Sequence, residues 1–273
     1  RLISEVGMVD SLTHGRLVLG VGSGYQPYEF ERFGEDLADS ADKLLEFVDM
    51  LELATARETF SYAGRHFRLP ETHIASQPVN GMPDLWIAGD NPRLHRLAAR
   101  KGYVVMVTPR HFTAELLAQA RRRFADVYRE EGRDPAGMRF GVLRHLCVTD
   151  SRAEAAEFLD NVRHQIRLSQ ALRRREQAMD GSMLVEKPWP GEPTIEEMAR
   201  HMLVGSPETI AERMCEEIRR AQPCHYLLQF QAGASDLALA LRSIERFAGE
   251  VRPLLEKALG PLDALGMAAP APA

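Results

Sequence analysis

The glycines of Gly20-Val21-Gly22-Ser23-Gly24 are the most chemically suggestive residues in the sequence. They end an apolar run from Arg16. Glycines at a strand's end let backbone approach a ligand closely, and exposed N–H groups there hold an anion. A dinucleotide fingerprint asks for a third glycine three residues on, opening a helix. Pro27 stands there instead, and the next helical pattern begins only at Ser40. The spacing therefore argues against that fold and leaves a tight turn or another kind of ligand loop. A second anion site is suggested by Gly89-Asp90-Asn91-Pro92, where Asn91 and Pro92 suit the cap and first position of a helix. Tyr25 and Tyr28 follow the first loop and suit either a substrate mouth or packing with a polar tip. No pair of the nine histidines has helical H-x3-H spacing, so no metal site is expected. His145 lies inside an apolar strand pattern and reads as a satisfied core residue that alternation could turn inward. No nucleophile elbow or assignable Ser/His/Asp set is present.

These residues need positioning elements. The first ten residues read as a helix with Leu2, Val6 and Val9 on one side and Ser4, Glu5 and Asp10 on the polar side. A buried strand is predicted over 16–21, a helix over 40–57 with Ser40 as its cap, and a hairpin over 59–69 turning at Ala63-Gly64. Strands follow over 85–88, 103–107, 139–148 and 224–230. Each leads into a helix, with capping boxes at Ser151–Glu154 and Thr194–Glu197 and caps at Ser206-Pro207 and Ser235. Arg173 to Arg175 reads as a solvated helix face. Five strand–helix units imply a parallel α/β sheet with right-handed crossovers. Both a doubly wound sheet and part of a (β/α)8 barrel satisfy that pattern.

Composition excludes several partners. With 34 Lys+Arg against 39 Asp+Glu, the net charge of -5 lacks the basic excess of a nucleic-acid binder. No apolar run nears the roughly 20 residues of a membrane span. Three cysteines, Cys147, Cys215 and Cys224, without metal-ligand spacing suit a reducing cytoplasm. A domain over 1–260 and a disordered Ala/Pro tail over 261–273 are expected.

In order, several segments resemble the bacterial luciferase-like monooxygenase family. They are Asp10 to Leu17 running into Leu19 to Tyr25, then Glu29-Phe30 with Phe33-Gly34, and Phe60 to Gly64. Pro83 to Asn91, Val204 to Glu208, and Phe247, Glu250, Val251 and Pro253 complete the set. The resemblance implies a (β/α)8 TIM barrel, of which this chain lacks the first three βα units. It implies an oxidoreductase acting on paired donors with incorporation of molecular oxygen. In that reading reduced FMN, supplied by a flavin reductase, meets oxygen to give a C4a-hydroperoxide that oxidises a small organic substrate. F420-dependent hydride transfer is the alternative, and a non-catalytic flavin-binding barrel is a third reading. The resemblance puts Gly22, Ser23, Gly24 and Tyr25 at the flavin end, Gly89, Asp90 and Asn91 at the phosphate, and Tyr28 at the substrate. Relatives commonly form homo-oligomers. Luciferase carries an arginine where Ser23 stands, and many relatives carry serine where Asp90 stands. Arg93 or Arg110 is the candidate for restoring positive charge, and Met179 to Pro193 is a candidate lid.

Overall fold

The computed structural model describes residues 1–89, 91–107 and 113–265. Its first helix, α1 (Leu2–Leu12), buries Val6, Gly7 and Asp10 and leaves Leu2 and Val9 exposed. Asp10 thus departs from the expected polar side. Its carboxylate accepts the backbone N–H groups of Leu17 at 3.2 Å and Val79 at 2.8 Å, tying the helix to two later segments. Asp10→Ala strips both donors of a buried acceptor. A loss of about 1–3 kcal/mol is expected in urea unfolding, and an unchanged midpoint would refute this anchoring role.

The chain continues as β1 (Val18–Gly22), α2 (Pro27–Arg32), α3 (Ser40–Ala56), β2 (Thr59–Ala63), β3 (Arg68–His73), β4 (Asp84–Ala88), α4 (Pro92–Lys101) and β5 (Val104–Val107). Then come α5 (Ala114–Glu130), β6 (Phe140–Val148), α6 (Arg152–Arg174), β7 (Ala178–Asp180), β8 (Met183–Val185), α7 (Ile195–His201) and β9 (Leu203–Gly205). The last elements are α8 (Pro207–Ala221), β10 (His225–Gln229), α9 (Leu237–Arg246) and α10 (Arg252–Leu259).

Strands β1, β4, β5, β6 and β10 pair in that order, all parallel, and β9 joins the carboxyl end of β6. The sheet is strongly curled. Three strand spacings separate β4 from β10, about 14 Å on a flat sheet. Yet the rings of Trp86 and His225 stack with centroids 4.6 Å apart. These two side chains therefore mark the concave face. On the convex face Leu85, Ile87, Val105, Val107, Phe140 and Val142 pack with α3, α4 and α5. Further along, Leu146 and Val148 pack with α8 and α10. This is an α/β architecture of the TIM-barrel kind, with helices outside a curled parallel sheet.

Several expectations need correction. The strand over 16–21 is not buried: β1 is an edge strand, so Val18, Gly20 and Gly22 are exposed. The stretch after Tyr25 holds α2, which Pro27 starts at a position where a missing N–H costs nothing. A sixth strand, β9, is only three residues long and too short for a periodicity signal. Ser40 and Ser235 yield their capping places to Asp39 and Asp236, and only Asp236 caps with its side chain. The box at Thr194 is complete. At Ser151, by contrast, Glu154 turns instead to the Thr149 hydroxyl at 2.5 Å. The expected tail keeps a 3-10 turn at Leu262–Ala264, with Leu262 packed against the α8–α10 core. Residues 266–273 of that tail lie outside the described residues. Among the described residues no helix is long and apolar enough to cross a membrane.

Candidate functional site

In open parallel sheets ligands bind at the carboxyl ends of the strands. Here the two loops singled out by their glycines meet at that end. Gly22 pairs in register with Ala88, and a Cβ built on Gly22 would sit 3.7 Å from that of Ala88. Gly20, Gly22 and Ala88 share the concave face with Trp86, since register partners point the same way. A Cβ on Gly20 would meet nothing within 4 Å. The result is an exposed shelf almost free of side chains. At Gly24 the positive φ of 77° turns the chain, and a Cβ there would come within 2.7 Å of Phe30.

The second loop is fixed from several sides. The Asn91 side chain accepts the Arg93 N–H at 3.0 Å and caps α4, as predicted. Gly89 donates its N–H to the Met106 carbonyl at 3.3 Å. Its own carbonyl lies 3.0 Å from His95 Nε2, and His95 is buried edge-on against Phe124. His95 was not singled out in the sequence; nothing distinguishes it there from any other helical histidine. Asp90 and Arg110 lie outside the described residues. Arg93, the other candidate for restoring charge, is engaged by Asp42 in an ion pair.

Ser23 stays beside the shelf, its hydroxyl directed to the Gly24 carbonyl at 3.5 Å. Tyr25 turns to α6: its hydroxyl lies 3.4 Å from Ser169 Oγ, and the Arg173 guanidinium sits 4.4 Å from its ring centre. The Ser169 hydrogen bond, aided by Gln26 and by the Arg173 charge, holds the Tyr25 phenol below its ordinary range. Tyr28 lies on α2, its ring covered by Arg32 from the same helix at 3.2 Å. The basic run of α6 is not merely solvated, since Arg173 covers Tyr25 and Arg175 pairs with Glu31 at 3.0 Å. At 23 residues, or about 34 Å, α6 reaches from the end of β6 across the strand ends to the β1 loop.

His145 is the second residue that sequence reasoning undervalued. On β6 it shares the concave face with Gly141 and Leu143, and its register partner is Gln229 on β10. It is not a satisfied core histidine: Nδ1 is buried without a hydrogen-bond partner. Burial, reinforced by the neighbouring Arg144 charge, pushes the imidazole down to about 4, so it is neutral at pH 7. Strand parity was the available signal, since inward-facing positions alternate along β6. Deeper in the concave face, Asp84 binds Arg139 with two bonds of 2.7 and 2.9 Å and accepts Trp86 Nε1–H at 3.0 Å. Burial alone would raise the Asp84 carboxyl, but these bonds hold it below its ordinary range.

The candidate lid contains the β7–β8 hairpin, with Met179 and Met183 exposed. Arg167 of α6 anchors the segment that follows by ion pairs to Glu186 and Glu192, and His164 lies 2.5 Å from Glu186.

Comparison with known proteins agrees with this architecture. The protein is similar to the uncharacterized protein y4vJ of Sinorhizobium fredii (strain NBRC 101917 / NGR234), with 34% identity over 262 residues, 95% of this chain and 75% of that one. It is 28% identical to the oxygenase component of the flavin-dependent trigonelline monooxygenase of Acinetobacter baylyi (strain ATCC 33305 / BD413 / ADP1). That match spans 165 residues, 57% of this chain and 43% of the relative. A solved F420-dependent secondary alcohol dehydrogenase in complex with an F420-acetone adduct shares the fold, with a TM-score of 0.68 and 18% identity over 93% of this chain and 74% of that one. The luciferase-like monooxygenase profile matches residues 1–222, and the chain belongs to that family.

Proposed function

We propose that the chain acts as the oxygenase part of a two-component system. It would take reduced FMN from a separate reductase and pass one oxygen atom of O2 to a small organic substrate, the other leaving as water. The observation that carries this reading is the shelf of Gly20, Gly22 and Ala88 beside the capped N-terminus of α4. A flat ring can lie against a surface without side chains, and a phosphate is favoured at a helix N-terminus. Gly22 to Tyr25 would border the ring, Gly89 to Asn91 the phosphate, and Tyr28 the entrance for substrate.

Reduced FMN supplies the electrons and the oxygen-activating atom when bound. The chain's own residues bind, orient and exclude water. His145, neutral and without a partner at Nδ1, supports a role in holding or moving a proton there. The Met179–Pro193 segment, anchored through Arg167, is suited to shielding the site from solvent. The flavin-dependent relative supports a flavin, whereas the fold is shared with an F420 enzyme and does not choose between them. Free Cys147, Cys215 and Cys224 support a reducing compartment such as the cytoplasm.

Anaerobic titration with reduced FMN and with reduced F420 tests the reading. Saturable binding of reduced FMN is expected, followed by oxygen uptake on aeration that exceeds that of free flavin when substrate is present. Binding of F420 alone would favour hydride transfer. A flavin-loaded but inert protein would favour the non-catalytic reading, and binding of neither would refute the proposal.

A further inference from the structure

We propose that Asp39, Asp42 and His66 form a site for one divalent transition-metal ion of the zinc type, where the β2–β3 turn meets the start of α3. One ligand atom from each of the three residues lies within 4.8 Å of the others. The His66 side chain is 9% exposed, and its Nε2 is buried with no hydrogen-bond partner, aimed at Asp39 Oδ1 from 3.9 Å. A buried imidazole nitrogen left without a partner is costly. A metal ion between it and the two carboxylates removes that cost.

The ligands stand on rigid supports. The Glu46 carboxylate accepts the N–H groups of Arg65 at 2.7 Å, His66 at 3.0 Å and Phe67 at 2.9 Å, which fixes the turn carrying His66. Asp39 ends a 3-10 turn that runs directly into α3, and Asp42 lies in the first turn of that helix. Sequence spacing hides the set because its histidine comes from a different element.

Two arginines now offset the carboxylates, and their geometry differs. Arg93 pairs with Asp42 Oδ1. Arg65 lies farther off, 3.4 Å from Asp39 Oδ1 and 3.5 Å from Asp42 Oδ2, and its side chain is 71% exposed. Arg65 can swing into solvent at little cost, freeing Asp42 Oδ2 and Asp39 Oδ1 while Arg93 keeps the Asp42 carboxylate oriented. One imidazole nitrogen and two carboxylate oxygens suit Zn2+, Co2+ or Mn2+, with water completing the shell. The all-oxygen preference of Ca2+ is not met. Bound there, the ion would clamp the hairpin to α3 without touching the concave shelf.

The test uses the untagged chain, stripped with a chelator and titrated with Co2+ and then Zn2+. One equivalent of Co2+ per chain is expected, with visible absorption that Zn2+ abolishes. His66→Gln and Asp42→Asn should each weaken binding by more than about tenfold, the loss typical of second-shell changes. Arg65→Ala should tighten it by removing a competitor. Absence of saturable binding in the wild type overturns the proposal, as does equal affinity in folded His66→Gln. Should His66→Gln not fold, unchanged affinity in Arg65→Ala overturns it instead. None of these readouts depends on flavin.

Discussion

Glu217→Leu lowers the stability of the folded chain by about 3–5 kcal/mol, because it removes the carboxylate that balances a buried positive charge. Arg144 on β6 and Glu217 on α8 form an ion pair with side chains only 4% and 2% exposed. Arg144 Nε donates to Glu217 Oε2 at 3.1 Å, and the Tyr226 hydroxyl donates to the same oxygen at 3.2 Å. The pair spans the convex face between strand and helix, where both side chains are shielded from solvent. Urea unfolding of the single variant should show the loss. A triple variant, Glu217→Leu with Arg144→Met and Tyr226→Phe, should recover more than half of it, since an apolar replacement removes both buried charges together. Arg144→Met alone carries a pH signature. Burial already pushes the Glu217 carboxyl above its ordinary range, and losing Arg144 raises it further. A raised folded-state value stabilises below the unfolded-state pKa, and that stability is lost as pH rises through the folded-state value. Arg144→Met should therefore lose stability as pH rises above the carboxylate range. Equal stability of wild type and Glu217→Leu at neutral pH would refute the argument.

The parts legible in the sequence are those whose chemistry is local. Asn91-Pro92, Thr194 to Glu197 and Ser206-Pro207 are caps whose partners lie three residues away or fewer, and the structure forms each of them. The strand end at Ala88 was legible for the same reason, and the end of β1 fell at Gly22, one residue beyond the predicted Val21. Asp10 and Arg173 were misread because their partners are distant: the Val79 backbone lies 69 residues from Asp10, and Tyr25 packs with Arg173 on another helix. An aspartate on a polar helix face and an arginine in a basic run look solvated until the contact is seen. The curl of the sheet was not readable from periodicity either. Alternation gives parity but not curvature, and the barrel expectation came from resemblance alone.

Parity does give His145 its place, and its replacement should have the second large effect. The imidazole titrates near 4 in the folded chain against an ordinary 6.5, mainly because it is buried. The unfolded chain therefore takes up the proton first as pH falls. By linkage, stability contributed at neutral pH is lost between about 6.5 and 4, and at 1.36 kcal/mol for each pKa unit the loss is about 3 kcal/mol. Unfolding free energies from urea titrations at neutral pH and near pH 4 should differ by that much less in His145→Gln than in wild type. Equal acid sensitivity would show that Nδ1 is not shielded as described. The same position faces the shelf side of the sheet, where the proposed function gives His145 a role in holding or moving a proton. His145→Phe, similar in breadth and apolar, should keep flavin binding while turnover falls by about a hundredfold or more, the usual contribution of a positioned acid or base. A folded, flavin-binding His145→Phe with full turnover would leave His145 as a packing residue and move the proton chemistry elsewhere. Loss of turnover together with flavin affinity would instead make it part of the cofactor's seat. Separate measurement of affinity and turnover distinguishes these cases, because only the proton-transfer role predicts a loss confined to turnover.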